Sequence, residues 1–89
     1  MIELGGSIFL ENFDELDKGT LVVIKKIIGN YTRKISSSVV GYKKITVSIK
    51  EKSEFEIHVK VEADKSIESI AKNKNLFFAL DRALAQVLE

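Results

Sequence analysis

Two stretches of strict alternation limit what this chain can become. Lys44-Ile45-Thr46-Val47-Ser48-Ile49-Lys50 and Glu54-Phe55-Glu56-Ile57-His58-Val59-Lys60-Val61-Glu62 interleave polar and apolar residues one for one. Successive side chains of a strand point to opposite faces, so a period of two describes a strand with one buried and one wet face. A helix, at about 3.6 residues per turn, would scatter the same residues around its axis. Lys52-Ser53 forms a tight connection between the two stretches, which predicts an antiparallel hairpin. Its apolar face carries Ile45, Val47, Ile49, Phe55, Ile57, Val59 and Val61, and its polar face carries Lys44, Lys50, Glu56, His58, Lys60 and Glu62. An isolated hairpin is marginal in water, so the apolar face requires a covering layer.

The flanking segments supply that layer. Leu21, Ile24, Ile28, Tyr31 and Ile35 recur at steps of 3, 4, 3 and 4. That spacing predicts one buried face of a helix over residues 17–37, capped by Asp14 or Asp17. Gly29 falls inside it, where glycine costs about 1 kcal/mol against alanine; it either admits a close partner or simply weakens the helix. Ser36-Ser37-Ser38 and Gly41 mark the exit. Ahead of the helix, Ser7 to Phe13 reads as a strand. After the hairpin, Asp64-Lys65 is a turn and Ser66 to Ala71 a third strand of the meander. Asn73 or Asn75 caps a final helix from Leu76 to about Leu88, with Leu76 or Phe77, Leu80, Leu84 and Val87 on its apolar face. Phe77, Phe78 and Tyr31 read as core aromatics, and Phe78, which falls off the main stripe, is the one expected to be most exposed.

The order is β-α-β-β-β-α. It predicts an α+β two-layer domain, a four-stranded, mainly antiparallel sheet with two helices on one face. At 89 residues, positions 1–89 make a single domain without repeat, low-complexity segment or linker.

Composition narrows the chemistry. There is no cysteine, which excludes disulfides and thiolate metal sites and agrees with a cytoplasmic protein. The lone histidine, His58, forms no Cys-His pair and no metal-binding cluster, and reads as an ordinary exposed strand residue. Gly5-Gly6 leads into strand-like residues rather than a phosphate loop. The expectation is a non-catalytic chain with no cofactor and no metal. No signal-peptide pattern is seen and no apolar run approaches the roughly 20 residues of a membrane span, so no membrane partner is expected.

The net charge of +1 hides an uneven distribution: residues 1–17 sum to −5, residues 18–60 to +7 and residues 61–89 to −1. Lysines outnumber arginines 12 to 2, which favours diffuse phosphate contact over bidentate base reading. Lys18, Lys25, Lys26 and Arg33 lie roughly opposite the apolar face of the first helix, with Lys34 beside them. Lys72 and Lys74 flank the start of the last helix, where backbone N–H groups favour anions, and Arg82 lies two turns on. These eight side chains are the candidate RNA-binding set; the plain alternative is a set of solvated surface bases.

The C-terminal third resembles the ribosome hibernation-promoting factor family, also known as ribosome-associated translation inhibitors. The strand EFEIHVKVEAD, the short strand SIESIA, a polar Lys/Asn turn and the helix NLFFALDRALAQVLE follow that family's pattern. The segment Leu76-Phe77-Phe78-Ala79-Leu80-Asp81-Arg82-Ala83 stands where the family has an aromatic or leucine followed by Ala-Ile/Leu-Asp. The element order agrees over nearly the whole chain. The resemblance implies a small factor that contacts rRNA on the small ribosomal subunit near the decoding channel and blocks translation. The fold is also similar to the double-stranded RNA-binding domain. The sequence as read carries no counterpart of the long tail of some family members, so no tail-dependent ribosome dimerisation is expected.

A second reading is a protein-interaction or self-assembly module without an RNA partner. It rests on the near-neutral charge and on Lys44, Lys50, Glu56 and Glu62, placed to pair across strands. One continuous positive surface over the first helix and the Lys72–Lys74 turn favours the first reading, and scattered charge the second. The sequence leaves the oligomeric state open.

Overall fold

The computed structural model describes residues 2–51 and 53–89. Its elements are β1 (Ile2–Leu4), β2 (Ile8–Glu11), α1 (Lys18–Ser38), β3 (Lys44–Glu51), β4 (Phe55–Glu62), β5 (Ile67–Asn73) and α2 (Leu76–Val87). The strands form one sheet in the order β1-β2-β3-β4-β5, and both helices cover the same face. The α+β two-layer arrangement is therefore the one the two periodicities predict. The β3–β4 pair is antiparallel, from Lys44 opposite Glu62 to Ile49 opposite Ile57. Lys52, in the expected tight connection, lies outside the described residues.

The sheet has one strand more than the four expected. β1 is only three residues long, too short for any period to register, and it pairs antiparallel with β2 from Ile2 opposite Leu10 to Leu4 opposite Ile8. Gly5 and Gly6 make the turn at φ +61° and +78°, a backbone region that costs a side-chain-bearing residue about 1–2 kcal/mol. β2 runs parallel to β3, and α1 is the crossover between them. Asn12, just after β2, has a φ of +67° that suits asparagine; its side-chain amide donates to the Ile49 carbonyl at 2.9 Å. That bond turns the chain so that Phe13 drops into the core fully buried.

The core is the apolar side of the hairpin closed by the helices. Ile45, Val47, Ile49, Ile57, Val59 and Val61 are buried against Ile24, Ile28 and Ile35 of α1 and Leu76, Ala79, Leu80, Ala83, Leu84 and Val87 of α2. Phe55, at the turn end of the hairpin, is half-buried. Of the two capping candidates for each helix, Asp17 and Asn75 are the caps. Asp17 accepts from the Thr20 N–H, and Asn75 accepts from the N–H groups of Phe77 and Phe78. The Asn75 cap starts α2 so that Leu76 points inward. At about 100° per residue Phe77 then falls on the flank and Phe78 on the solvent side. Accordingly Phe77 is 37% and Phe78 66% exposed, which corrects the core reading of both, while Phe78 is, as expected, the more exposed of the two.

Gly29 has no atom within 4 Å of where a Cβ would stand, outside its neighbours and its own helix turn. No close packing within the chain needs this glycine. Gly29→Ala is therefore expected to stabilise the fold by about 0.5–1 kcal/mol, read as a higher denaturation midpoint with an unchanged slope. A loss of stability would show that α1 approaches another element at this position.

Candidate nucleic-acid interface

All eight predicted bases are exposed, and the folding of α1 and α2 decides how they group. The two helices run in the same direction. α1 returns the chain from β2 to its parallel neighbour β3, while α2 folds back over β5, so that the Ser69 hydroxyl donates to the Ala83 carbonyl at 2.5 Å. The helices are pinned to each other by the Tyr31 hydroxyl, which donates to the Asp81 carboxylate at 2.6 Å. Tyr31 is thus half-buried at the helix–helix seam rather than a core ring. The Lys34 ammonium lies over its ring, 5.7 Å from the centroid.

These contacts orient α1. Tyr31 and Lys34 mark the flank facing α2. At about 100° per residue, Lys18 and Lys25 lie on the opposite flank, with Lys26 and Arg33 between that flank and the outermost line of the helix. Four of the five α1 bases thus form one stripe, spanning about 22 Å from Lys18 to Arg33 at 1.5 Å per residue. Gly29 lies in the middle of this stripe. The acidic run Asp14, Glu15 and Asp17 immediately precedes Lys18 and weakens the field at that end, so the stripe is most positive around Lys25, Lys26 and Arg33.

Lys74 and Arg82 form a second group. Lys74 precedes the α2 cap, and Arg82 projects from the flank of α2 turned away from α1. Lys72, next to last in the edge strand β5, alternates with the buried Ser69 and Ala71 and therefore lies on the open sheet face, apart from both groups. Between the two groups lie the Tyr31–Asp81 seam and the exposed rings of Phe77 and Phe78. The positive surface is therefore two patches on one helical layer, not one continuous patch. The α2 N-terminus is also less open to an anion than the sequence implies, because the Asn75 side chain already accepts the Phe77 N–H at 2.9 Å and the Phe78 N–H at 3.2 Å.

The open face of the sheet carries charges of both signs. Lys44 pairs with Glu62 at 3.6 Å and also lies 5.3 Å from the centroid of the Phe9 ring. His58 Nε2 is 2.6 Å from a Glu56 carboxylate oxygen, and the Ser48 hydroxyl donates to Glu11 at 2.7 Å. Lys60 stands opposite Glu68, and Glu56 opposite Lys72. At the β3 end the register shifts from Ile49 opposite Ile57 to Glu51 opposite Glu56, so Lys50 is an extra residue in the strand. The mixed array gives this face little net attraction for a polyanion. Among the described residues no three His, Asp or Glu side chains come together in a way that could hold a metal ion. Nor is any described helix long and apolar enough to cross a membrane.

The fold itself is a known one. A solved structure, the N-terminal domain of Protein Y from Thermus thermophilus, superposes with a TM-score of 0.57 at 13% sequence identity, covering 90% of this chain and 87% of that one. Protein Y is a ribosome hibernation factor, so the structural match falls in the family that the C-terminal motif resembles. At this identity the match establishes a shared fold. No family model matches the chain. No curated protein sequence matches it either.

The interhelical pin is the feature of this surface that the sequence did not show. Its tyrosine and aspartate stand 50 residues apart, and no local pattern joins them. It leaves a measurable trace. The Tyr31 phenol is held above its ordinary value of 10.0, first because its O–H donates to Asp81, then by partial burial and by the negative charge of that carboxylate. Since the folded value lies above the unfolded one, the stabilisation is complete below pH 10 and is lost as pH rises through the folded value. In a Tyr42→Phe background, which leaves Tyr31 as the single tyrosine, near-ultraviolet titration should place the phenol above 10, and Asp81→Asn should lower it. A value that does not respond to Asp81→Asn would mean the pin is not formed in solution.

Proposed function

We propose that this protein is a non-catalytic factor that binds rRNA on the small ribosomal subunit through its helical layer and inhibits translation. The observation that carries the reading is the structural likeness to the Protein Y N-terminal domain over 90% of the chain. Three features support it. The C-terminal helix has the Ala-Leu-Asp motif of Ala79-Leu80-Asp81. The exposed stripe of Lys18, Lys25, Lys26 and Arg33 has no acidic residue among its members. Lys74 and Arg82 add basic character at α2. The bases of the open sheet face, by contrast, are interleaved with acids.

The mechanism is electrostatic docking. Exposed lysines on one helical layer neutralise backbone phosphates and release their counterions, and the rigid two-layer core fixes the spacing at which they do so. Lysine-rich contact of this kind reads the shape and charge of a folded RNA rather than its base edges. A protein seated on the small subunit near the decoding channel inhibits by occupying space that translation requires, and no bond is made or broken.

Co-sedimentation with purified small subunits tests this. Lys25→Glu with Arg33→Glu reverses two charges at the centre of the stripe, both on exposed positions, and should weaken binding at least about tenfold at fixed salt. Lys44→Glu with Lys50→Glu, on the sheet face, should weaken it less than about threefold. Binding of the parent protein should fall with salt at a slope near −0.9 per neutralised phosphate for a duplex-like target. Circular dichroism confirms that each variant is folded. Larger damage from the sheet pair, or binding that persists in high salt, would contradict the assignment.

A further inference from the structure

We propose that two copies of this chain associate through β5 into one continuous ten-stranded sheet, in a register centred on Ile70. The inference is drawn from the strand alone and does not depend on the ribosome reading.

β5 is an edge strand whose one neighbour in the sheet is β4. It pairs with β4 without interruption over seven positions, from Phe55 opposite Asn73 to Val61 opposite Ile67. Its outer edge thus presents regular, unused backbone donors and acceptors. Soluble proteins blunt such edges with proline, bulges, very short strands or repeated like charge. The other edge is blunted, since β1 has three residues. β5 has seven residues, Ile67-Glu68-Ser69-Ile70-Ala71-Lys72-Asn73, with no proline, no glycine and one residue of each charge.

The side chains are self-complementary. Glu68, Ile70 and Lys72 point to the open face, while Ser69 and Ala71 are buried beneath α2. An antiparallel partner related by a two-fold axis through Ile70 sets Glu68 opposite Lys72 of the second copy, Lys72 opposite its Glu68, and Ile70 against Ile70. Opposed residues then share parity, so the open faces of both copies are continuous whichever of the alternate backbone groups point outward. Ile70 is 55% exposed, a large apolar side chain between Glu68 and Lys72 on the open face. Neither Glu68 nor Lys72 forms an ion pair among the described residues.

The helical layer permits this approach. α2 packs over β4 and β5. Across the axis the two α2 helices would then lie about 10 Å apart, twice the strand spacing, which is the distance at which helices ordinarily pack. The facing flanks carry Arg82 and Gln86, which stay solvated beside the axis, so the contact is a small and polar one. The result is a transient dimer rather than an obligate one.

Sedimentation velocity on the full chain decides the matter. The parent protein should show a monomer–dimer equilibrium with a dissociation constant of roughly 10–500 μM. Glu68→Lys alone leaves two bases facing two bases, and Lys72→Glu alone two acids facing two acids. Each should weaken self-association at least about tenfold. An equimolar mixture of the two variants restores opposite charges at both sites and should associate as well as the parent protein. Circular dichroism verifies folding of each variant, and the mixture serves as its own control, because a misfolded variant cannot be rescued by another. A parent chain that stays monomeric to about 1 mM would overturn the proposal. So would single variants that self-associate like the parent, or a mixture that associates no better than its components.

Discussion

The burial of one face of the β3–β4 hairpin is the constraint on which the rest of the molecule depends. Six of its side chains, Ile45, Val47, Ile49, Ile57, Val59 and Val61, are at most 1% exposed. Each fully buried aliphatic of this size contributes about 1.5–3 kcal/mol relative to exposure. Covering that face requires two helices, and connecting those helices without crossing the sheet produces the parallel β2–β3 pair with α1 as crossover. The Asp17 and Asn75 caps then set the rotation of each helix, so that its apolar stripe meets the hairpin.

That single decision also sorts the charges. With both helices on one face, the polar side of the hairpin becomes an open sheet, where alternation places acids and bases on neighbouring strands. Lys44 with Glu62, His58 with Glu56 and the Lys60–Glu68 register are its products. The bases of α1 have no such neighbours within the stripe, because the acids of the N-terminal segment stop at the helix cap. A chain of net charge +1 therefore presents a distinctly positive helical layer and a nearly neutral sheet layer. The likeness to the Protein Y N-terminal domain is one of fold, and the proposed β5 contact uses an edge apart from the α1 stripe.

How much of this could be read from sequence follows the range of the interaction. β3, β4, α1 and α2 announce themselves through periodicity, because each exceeds two repeats of its own period and most of their apolar positions are buried. The exposure of all eight candidate bases was equally legible, since each falls off an apolar stripe. β1 was not, because three residues cannot express an alternation; the Gly5-Gly6 turn was its one available signal. Phe77 and Phe78 read as core because aromatic residues beside an apolar stripe usually are, and the choice between Leu76 and Phe77 as first inward residue needed the Asn75 cap geometry. The Tyr31–Asp81 pin and the division of the bases into two groups depend on the side-by-side placement of the helices, a long-range property that no local pattern carries.

The central claim is that the α1 face, not the open sheet, meets the small ribosomal subunit. Directed hydroxyl-radical probing measures this most directly, because the chain has no cysteine and a single one can carry an iron chelate at any chosen position. Gly29→Cys places the probe in the middle of the basic stripe, where nothing else in the fold lies within 4 Å. Thr46→Cys places it at the centre of the open sheet, on the opposite side of the domain. The account predicts localised cleavage of small-subunit rRNA from position 29 and little or none from position 46. Cleavage from position 46 alone, or from neither position with bound protein present, would contradict it.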